Sequence, residues 1–81
     1  MVDDFSLRKI DLNLLHVFEA IYTTGNITKA GEQLNMAQPT VSNALTRLRK
    51  QFNDPLFRRA DKGVTPTPAA RALIGPVRKA L

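Results

Sequence analysis

Apolar and polar residues alternate most clearly between residues 37 and 52, where the pattern has a helical period. The apolar positions fall at i, i+4, i+7 and i+11, and they are occupied by Val41, Leu45, Leu48 and Phe52. This spacing places them along one face of a helix that can pack on a core. The opposite face carries amides, hydroxyls and bases but no acid, in Gln38, Thr40, Ser42, Asn43, Thr46, Arg47 and Lys50. Such side chains can bond to base edges and phosphates, although a solvated amphipathic helix is the alternative.

A first helix is predicted nearer the start of the chain. Its apolar residues fall at i, i+1, i+4, i+7 and i+8, in Leu14, Leu15, Phe18, Ile21 and Tyr22. This is the pattern of a helix with one face in the core. Asp11 or Asn13 can cap its N terminus, and Gly25 suits the left-handed conformation that ends many helices. We expect Leu12 to pack beneath the helix start, and residues 1–6 to form a frayed end.

A short helix and a tight turn are predicted between these two helices. Asn26 is suited to cap the short helix, roughly Ile27–Leu34, and Asn35 is suited to the turn. Gly31, like the alanine before it, is small enough to let another helix cross closely. Pro39 fits the first turn of the following helix, where no N–H donor is needed. This succession is typical of a helix-turn-helix, although a plain helical hairpin could produce part of it.

A two-stranded hairpin is predicted after the longest helix. Asn53-Asp54-Pro55 is a helix stop and turn, after which residues 56–59 and 64–65 form short strands around a turn. A hairpin this small is not stable alone, and Leu56, Phe57 and Val64 are its expected anchors on the helices. Its polar residues are Arg58, Arg59, Lys62 and Thr65. These residues predict a basic wing over residues 56–65 that reaches phosphates or the minor groove, with a solvated basic loop as the alternative.

A last helix is predicted to begin with Thr67 as its N-cap and Pro68 as its first residue. Its apolar positions fall at i, i+4, i+8 and i+12, in Ala69, Leu73, Val77 and Leu81. Because a monomer leaves this line little to bury against, we expect it to be a dimerisation seam. Gly75 and Pro76 predict a bend or break near residues 72–75. The line reaches the final residue, which predicts a longer parent protein.

Charge and size narrow the classes of partner. The chain has 81 residues, enough for one small domain, and a formal net charge of +5. The first 26 residues are net acidic, and the excess of bases lies in residues 27–81. This asymmetry predicts one face turned toward a polyanion. No apolar run is long enough for a membrane span and no signal peptide pattern opens the chain, so we expect no membrane partner and a cytoplasmic location.

The sequence offers little for catalysis or metal binding. It contains no cysteine, and its single histidine, His16, cannot form a zinc site alone. No convergent set of acids and bases is evident from the residue types. We therefore predict that the protein is not an enzyme, and that this domain has no catalytic residue, metal or cofactor.

Several short motifs occur together in one order along the chain. They are 11–15 (DLNLL), 26–30 (NITKA), 38–42 (QPTVS), 54–58 (DPLFR) and 66–67 (PT). In this combination, the chain resembles the N-terminal DNA-binding domain of a LysR-type transcriptional regulator over about residues 7–81. The opening and closing motifs resemble the branch that contains NodD, LeuO and the nitroaromatic regulators. Each motif alone is weak, and the specificity comes from their combination.

The resemblance implies a mainly α fold. Residues 1–66 would form a winged helix-turn-helix of three helices and a two-stranded wing, and residues 67–81 the start of a dimerisation linker helix. The resemblance also implies sequence-specific binding of double-stranded DNA as a homodimer, with the recognition helix, about 38–52, in the major groove. An effector-binding domain, absent from this chain, would hold the small-molecule effector, and the full-length protein would be a tetramer located at the nucleoid.

The resemblance also assigns roles to particular side chains. The family residues that match Gln38, Pro39, Thr40, Ser42 and Asn43 lie at base edges and backbone. Those that match Arg47 and either Arg58 or Arg59 contact phosphate or the minor groove. Ala37 stands where the family frequently has a capping Ser or Thr, and Asn43 stands where many members have Arg, so adenine would replace guanine as the preferred base. A different class of function, a protein-interaction module that docks through the last helix, is the alternative.

Overall fold

The computed structural model describes residues 10–81, and the expected frayed end at residues 1–6 lies outside them. Three helices are followed by a hairpin and a fourth helix: α1 (Leu12–Thr24), α2 (Ile27–Leu34), α3 (Gln38–Phe52), β1 (Phe57–Ala60), β2 (Gly63–Pro66) and α4 (Pro68–Ala80). The predicted order of elements is confirmed. No helix among residues 10–81 is both long and apolar enough to cross a membrane.

The helix ends lie where the capping residues predict them. The Asp11 carboxylate accepts a hydrogen bond of 2.8 Å from the backbone N–H of Asn13, so Asp11 and not Asn13 caps α1. Asn26 caps α2 by accepting from the Lys29 N–H at 2.9 Å. Gly25 and Asn35 end α1 and α2 in the left-handed conformation, at φ 67° and 57°.

The core lies between α1 and α3. Leu15, Phe18 and Ile21 of α1 are buried against Val41 and Leu48 of α3, as the helical period predicts. The apolar faces of the two helices thus bury each other, and the polar face of α3 is exposed to solvent.

The expectation that Leu12 packs beneath the start of α1 is wrong. Its side chain is 56% exposed, whereas Ile10 takes a buried place in the core. The helical period explains this difference. Leu12 lies on the polar side of α1, two residues before Leu14, which begins the buried face.

Gly31 lies at the closest approach between α2 and the turn into α3. A Cβ atom built on Gly31 would lie 2.8 Å from the backbone oxygen of Met36 and 3.2 Å from Cγ2 of Val41. The N–H of Met36 donates to the Gly31 carbonyl at 2.8 Å, which holds the turn against the helix. The absence of a side chain at this position therefore permits the tight turn.

The hairpin is antiparallel, with Phe57 opposite Pro66 and Ala60 opposite Gly63. Leu56 is a buried anchor as predicted, but the assignment of Leu56 to the first strand is wrong, because its φ of 65° breaks the extended conformation. The second strand is also longer than the predicted residues 64–65. The term wing is used below for Phe57–Pro66.

The wing leans on the end of α1. The N–H of Val64 donates a hydrogen bond of 2.9 Å to the Gly25 carbonyl. Gly63 has a φ of 130°, and a Cβ atom there would overlap that carbonyl. On the other strand, the ring of Phe57 lies 5.3 Å from that of Phe18. The hairpin is thus held by the helices, as its size requires.

The last helix packs on the same core, which covers part of the predicted seam. Leu73 and Val77 are only 3% and 1% exposed within the single chain. The helix folds back against α1 and β2, which the apolar line alone did not reveal. Leu73 and Val77 are therefore core residues of the single chain, which leaves them little surface for a dimer seam. Ala69 is half-buried and Leu81 is 44% exposed, so the dimerisation role of these two residues stays a prediction.

The bend or break predicted near residues 72–75 is not a break, because α4 continues through Gly75 and Pro76 to Ala80. Pro76 has no N–H to donate to the carbonyl four residues earlier, on Ala72. Ala72 is exposed, so water can satisfy that carbonyl. The helix end is further tied to α1 by Arg78, whose Nε lies 3.4 Å from Oε2 of Glu19.

Candidate nucleic-acid interface

The eight residues predicted on the recognition helix lie together on the exposed surface of α3. The burial of Val41, Ala44, Leu45 and Leu48 fixes the rotation of this helix, so the opposite face points outward. All eight are exposed: Gln38, Pro39, Thr40, Ser42, Asn43, Thr46, Arg47 and Lys50. Ala37 precedes them as an N-cap that forms no side-chain hydrogen bond.

The hydrogen-bonding groups of this face are largely unused within residues 10–81. The side chains of Gln38, Asn43 and Arg47 form no hydrogen bond there, and no acid pairs with Arg47 or Lys50. Thr46 is different, because its hydroxyl donates to the Ser42 carbonyl at 3.1 Å. The face thus presents amide donors and acceptors flanked by positive charge, which is the chemistry that base edges and phosphates bind.

The strand register places the two wing arginines on opposite faces of the hairpin. Arg58 lies opposite Thr65, and Arg59 lies opposite Val64. Since facing residues of an antiparallel pair share a side, Arg59 lies on the side that Val64 turns to the core. All four predicted wing residues, Arg58, Arg59, Lys62 and Thr65, are exposed. The structure therefore keeps all four at the surface but gives the two arginines different directions.

An acidic residue lies at the base of the wing, where one of its carboxylate oxygens accepts two hydrogen bonds. Oδ2 of Asp54 accepts hydrogen bonds of 2.8 Å from the Leu56 N–H and from the Thr67 hydroxyl. Hydrogen bonds from the Leu56 N–H and then from the Thr67 hydroxyl lower the pKa of Asp54 below its ordinary value of 3.8. Burial partly opposes this shift, and the charge of Arg58 makes a still smaller contribution that lowers the pKa. Asp54 is thus a structural carboxylate between α3 and the wing.

An open groove of about 650 Å³ runs beside the exposed polar face of α3, between this helix and the start of α1. Its polar edge includes Asn13, Asn43 and Arg47, and its floor includes Leu14 and Val17. The sequence pattern indicates only a capping role for Asn13, whereas the structure places it in the same groove as Asn43 and Arg47 of α3. The predicted apolar faces of α1 and α3 indicate that both helices pack on a core, but the helical period alone could not show which α1 residues lie beside α3.

The described residues hold no cluster of potential metal ligands. Within residues 10–81, no three His, Cys, Asp or Glu side chains lie together as metal ligands. His16 is exposed on α1. Acids are exposed elsewhere in this part of the chain, at Asp11, Glu32 and Asp61, whereas the polar side chains on the exposed face of α3 are amides, hydroxyls and bases.

One known protein family matches most of this chain. The family described as "Bacterial regulatory helix-turn-helix protein, lysR family" matches residues 12–71. The chain belongs to this LysR family. The match begins at the first residue of α1 and extends into α4, so it covers the helix-turn-helix and the wing. The resemblance proposed from the sequence motifs is confirmed, and so is the mainly α, winged helix-turn-helix fold.

Individual relatives agree with this assignment. The chain is 53% identical over 75 residues to the HTH-type transcriptional regulator LeuO of Escherichia coli (strain K12), covering 93% of this chain and 24% of LeuO. It is 49% identical over 74 residues to Nodulation protein D 1 of Bradyrhizobium elkanii, covering 91% of this chain and 24% of that protein. The chain thus spans about a quarter of the length of these relatives. LeuO is named as a regulator and not as an enzyme.

A solved structure shows the same fold in a complex. The BenM_DBD, determined together with catB site 1 DNA, superposes with a TM-score of 0.82 at 27% sequence identity. The superposition covers 88% of this chain and 80% of that one.

Proposed function

We propose that this LysR-family domain binds double-stranded DNA in a sequence-specific manner, as the DNA-binding part of a transcription regulator. The observation that carries the proposal is the exposed, acid-free face of α3, whose amides and bases have no partner within residues 10–81. The BenM_DBD, which shares the fold, is bound to DNA in its structure, and this likeness supports the proposal. Such a partner places the protein at the nucleoid in the cytoplasm.

Base recognition belongs to the N-terminal half of α3. Gln38, Thr40, Ser42 and Asn43 carry short polar side chains that can reach base edges when α3 lies in the major groove. Asn43 is suited to a bidentate pair with adenine, through N6 and N7. Pro39 is exposed in the first turn of α3, where it would lie against the DNA backbone.

Phosphate contacts belong to the bases around this face. Arg47 and Lys50 lie farther along α3, and Arg58, Arg59 and Lys62 extend the positive surface onto the wing. Contacts of this kind fix the orientation of the protein and make its affinity depend on salt. We propose that Thr65, which shares a side of the wing with Arg58, adds a hydroxyl contact to the DNA backbone.

We also propose that the domain acts as a homodimer through α4 and its continuation. The exposed positions on this helix, with Ala69 at its start and Leu81 at its end, are the available contacts, since Leu73 and Val77 are already buried. Two copies related by a two-fold axis would bind an interrupted palindrome. The small-molecule effector and the tetramer belong to the full-length protein.

A salt series with two duplexes tests the proposal. One duplex carries an A/T-rich palindrome and the other a scrambled sequence of the same composition, and the mass of each complex is measured in the same samples. We expect tight, sequence-dependent binding of two chains per duplex, with an affinity that falls as salt rises. Weak binding that is equal on both duplexes would contradict sequence-specific recognition and favour the protein-interaction module.

A further inference from the structure

The connection between α3 and the wing contains a strained turn. The N–H of Phe57 donates a hydrogen bond of 2.7 Å to the carbonyl of Pro55, two residues earlier. The residue between them, Leu56, has a φ of 65° and is 0% exposed. A three-residue turn with a positive φ at its centre is the rare, strained form of the γ-turn. A leucine persists in such a conformation only where neighbouring contacts hold it there.

One of these neighbours is a base on the recognition helix itself. Arg49, in the last turn of α3, donates from Nε to the Pro55 carbonyl at 2.7 Å. Its Nη2 donates to the Phe57 carbonyl at 3.1 Å. The two acceptors flank Leu56 on both sides, so one guanidinium closes over the strained turn.

The contacts of Arg49 distinguish it from the other bases of α3. Arg47 and Lys50 form no hydrogen bond within residues 10–81, whereas Arg49 directs two donors of its planar group to main-chain oxygens. Phe57 is the first residue of β1, so this contact joins the recognition helix to the first strand of the wing without any intervening element. A guanidinium held in this way is turned toward its own chain.

We infer that Arg49 is a positioning residue, which fixes the place of the wing relative to the recognition helix instead of contacting DNA. The functional part of this inference rests on the proposed DNA binding. The distance between the exposed face of α3 and the basic residues of the wing is then set by the two hydrogen bonds of one guanidinium. Lysine has the same charge but donates from a single nitrogen, so it lacks the planar pair of nitrogens with which Arg49 reaches the two carbonyls.

The first test uses the free 81-residue chain and does not depend on DNA. Arg49→Lys and Arg49→Gln are compared with Lys50→Gln, a matched loss of one exposed charge on the next residue. Amide hydrogen exchange is measured by NMR, with urea unfolding as a check on global stability. We expect the wing amides to exchange about tenfold faster in both Arg49 variants, with little change in the α1 amides and none in Lys50→Gln. Unchanged wing exchange in both Arg49 variants would overturn the inference.

The second test measures DNA affinity in a double-mutant cycle with the wing. We expect Arg49→Lys and Arg49→Gln to weaken binding alike, by about tenfold. In a background with Arg58 and Arg59 both changed to Ala, the same replacements should weaken binding by less than about twofold, because the wing no longer contributes. Full affinity in Arg49→Lys, or losses that simply multiply, would make Arg49 an independent phosphate contact and overturn the positioning role.

The two tests separate the possible failures. If the unsubstituted chain binds neither duplex, the proposed function fails, and the exchange experiment still decides whether Arg49 holds the wing. If the chain binds DNA but the cycle shows no coupling between Arg49 and the wing arginines, the positioning role alone is wrong.

Discussion

The hydroxyl of Thr67 donates a hydrogen bond of 2.8 Å to the carboxylate of Asp54, thirteen residues earlier in the chain. The same hydroxyl oxygen accepts the N–H of Ala70 at 3.2 Å, so it caps α4. The same carboxylate oxygen accepts the N–H of Leu56 at 2.8 Å. Asp54 and Thr67 therefore connect three segments through hydrogen bonds: the end of α3, the entrance to the wing and the start of α4.

Loss of the Thr67 hydroxyl should destabilise the domain. We expect Thr67→Val, which keeps the shape of the side chain, to lower the free energy of unfolding by about 1–3 kcal/mol, because the N-cap and a buried partner of Asp54 are lost together. Urea denaturation measures the change. Thr65→Val on the exposed strand is the control and should stay within about 0.5 kcal/mol of the unsubstituted chain. Equal effects of the two replacements would contradict the role of Thr67.

Asp54 should make the stability depend on pH in the acid range. Its pKa in the folded chain is lowered from 3.8 by the Leu56 N–H, the Thr67 hydroxyl and Arg58, so the unfolded chain binds the proton more tightly. The stabilisation is therefore complete above the unfolded pKa and is lost as pH falls through the lower folded pKa.

Unfolding in urea between pH 2.5 and 7 measures this contribution. We expect the free energy of unfolding of Asp54→Asn to fall less steeply as the pH is lowered. Asp61→Asn, in the exposed turn of the wing, is the control and should show the same fall as the unsubstituted chain. A decline of the same size in the unsubstituted chain and in Asp54→Asn would show that this carboxylate is not responsible.

The two helical glycines Gly31 and Gly75 should respond to alanine in opposite directions. At Gly31, a Cβ would meet the Met36 backbone oxygen at 2.8 Å, so we expect Gly31→Ala to cost about 1–3 kcal/mol in unfolding free energy. At Gly75, a Cβ meets nothing within 4 Å, and alanine should stabilise α4 by about 0.5–1 kcal/mol. Thermal and urea unfolding of the two variants test this difference. Stabilisation by Gly31→Ala would show that the turn into α3 is looser than the structure has it.

Asn43 should determine one base pair in each half-site. We expect Asn43→Ala to relax the preference there at a cost of about 1–3 kcal/mol in binding, with other positions unchanged. Lys50→Ala should instead weaken binding to all DNA sequences alike, since a phosphate contact does not depend on the identity of the base. A scan of every base pair in the site measures both effects, and a scan in which Asn43→Ala alters no position would exclude this residue from base recognition.

Local chemistry made most of the fold predictable. Asn26, Asn35 and Thr67 are residue types that favour helix ends because their side chains can bond to nearby backbone groups. This preference depends only on residues a few positions away, so it can be recognised in the sequence. The helical period located the core face of α1 and α3 because burial of apolar side chains needs no information about distant elements. The polar face of α3, and with it the predicted recognition residues, followed from the same period.

What could not be predicted depends on contacts between distant segments. Leu73 and Val77 have the spacing of a seam, but only the packing of α4 on α1 shows that their own chain covers them. The positive φ of Leu56 has no signal in the residue type, since leucine avoids this conformation. Arg49 is likewise an ordinary base at the end of a helix until the chain turns and brings two carbonyls to it.

Amide chemical-shift mapping of the 81-residue chain, titrated with a duplex that it binds, tests most directly whether the acid-free face of α3 contacts DNA. We expect the largest shifts in residues 38–50 and on the wing, and smaller shifts around Asn13. The exposed side of α4 should change little beyond the effects of dimerisation. Shifts concentrated on α4, with α3 unchanged, would contradict it.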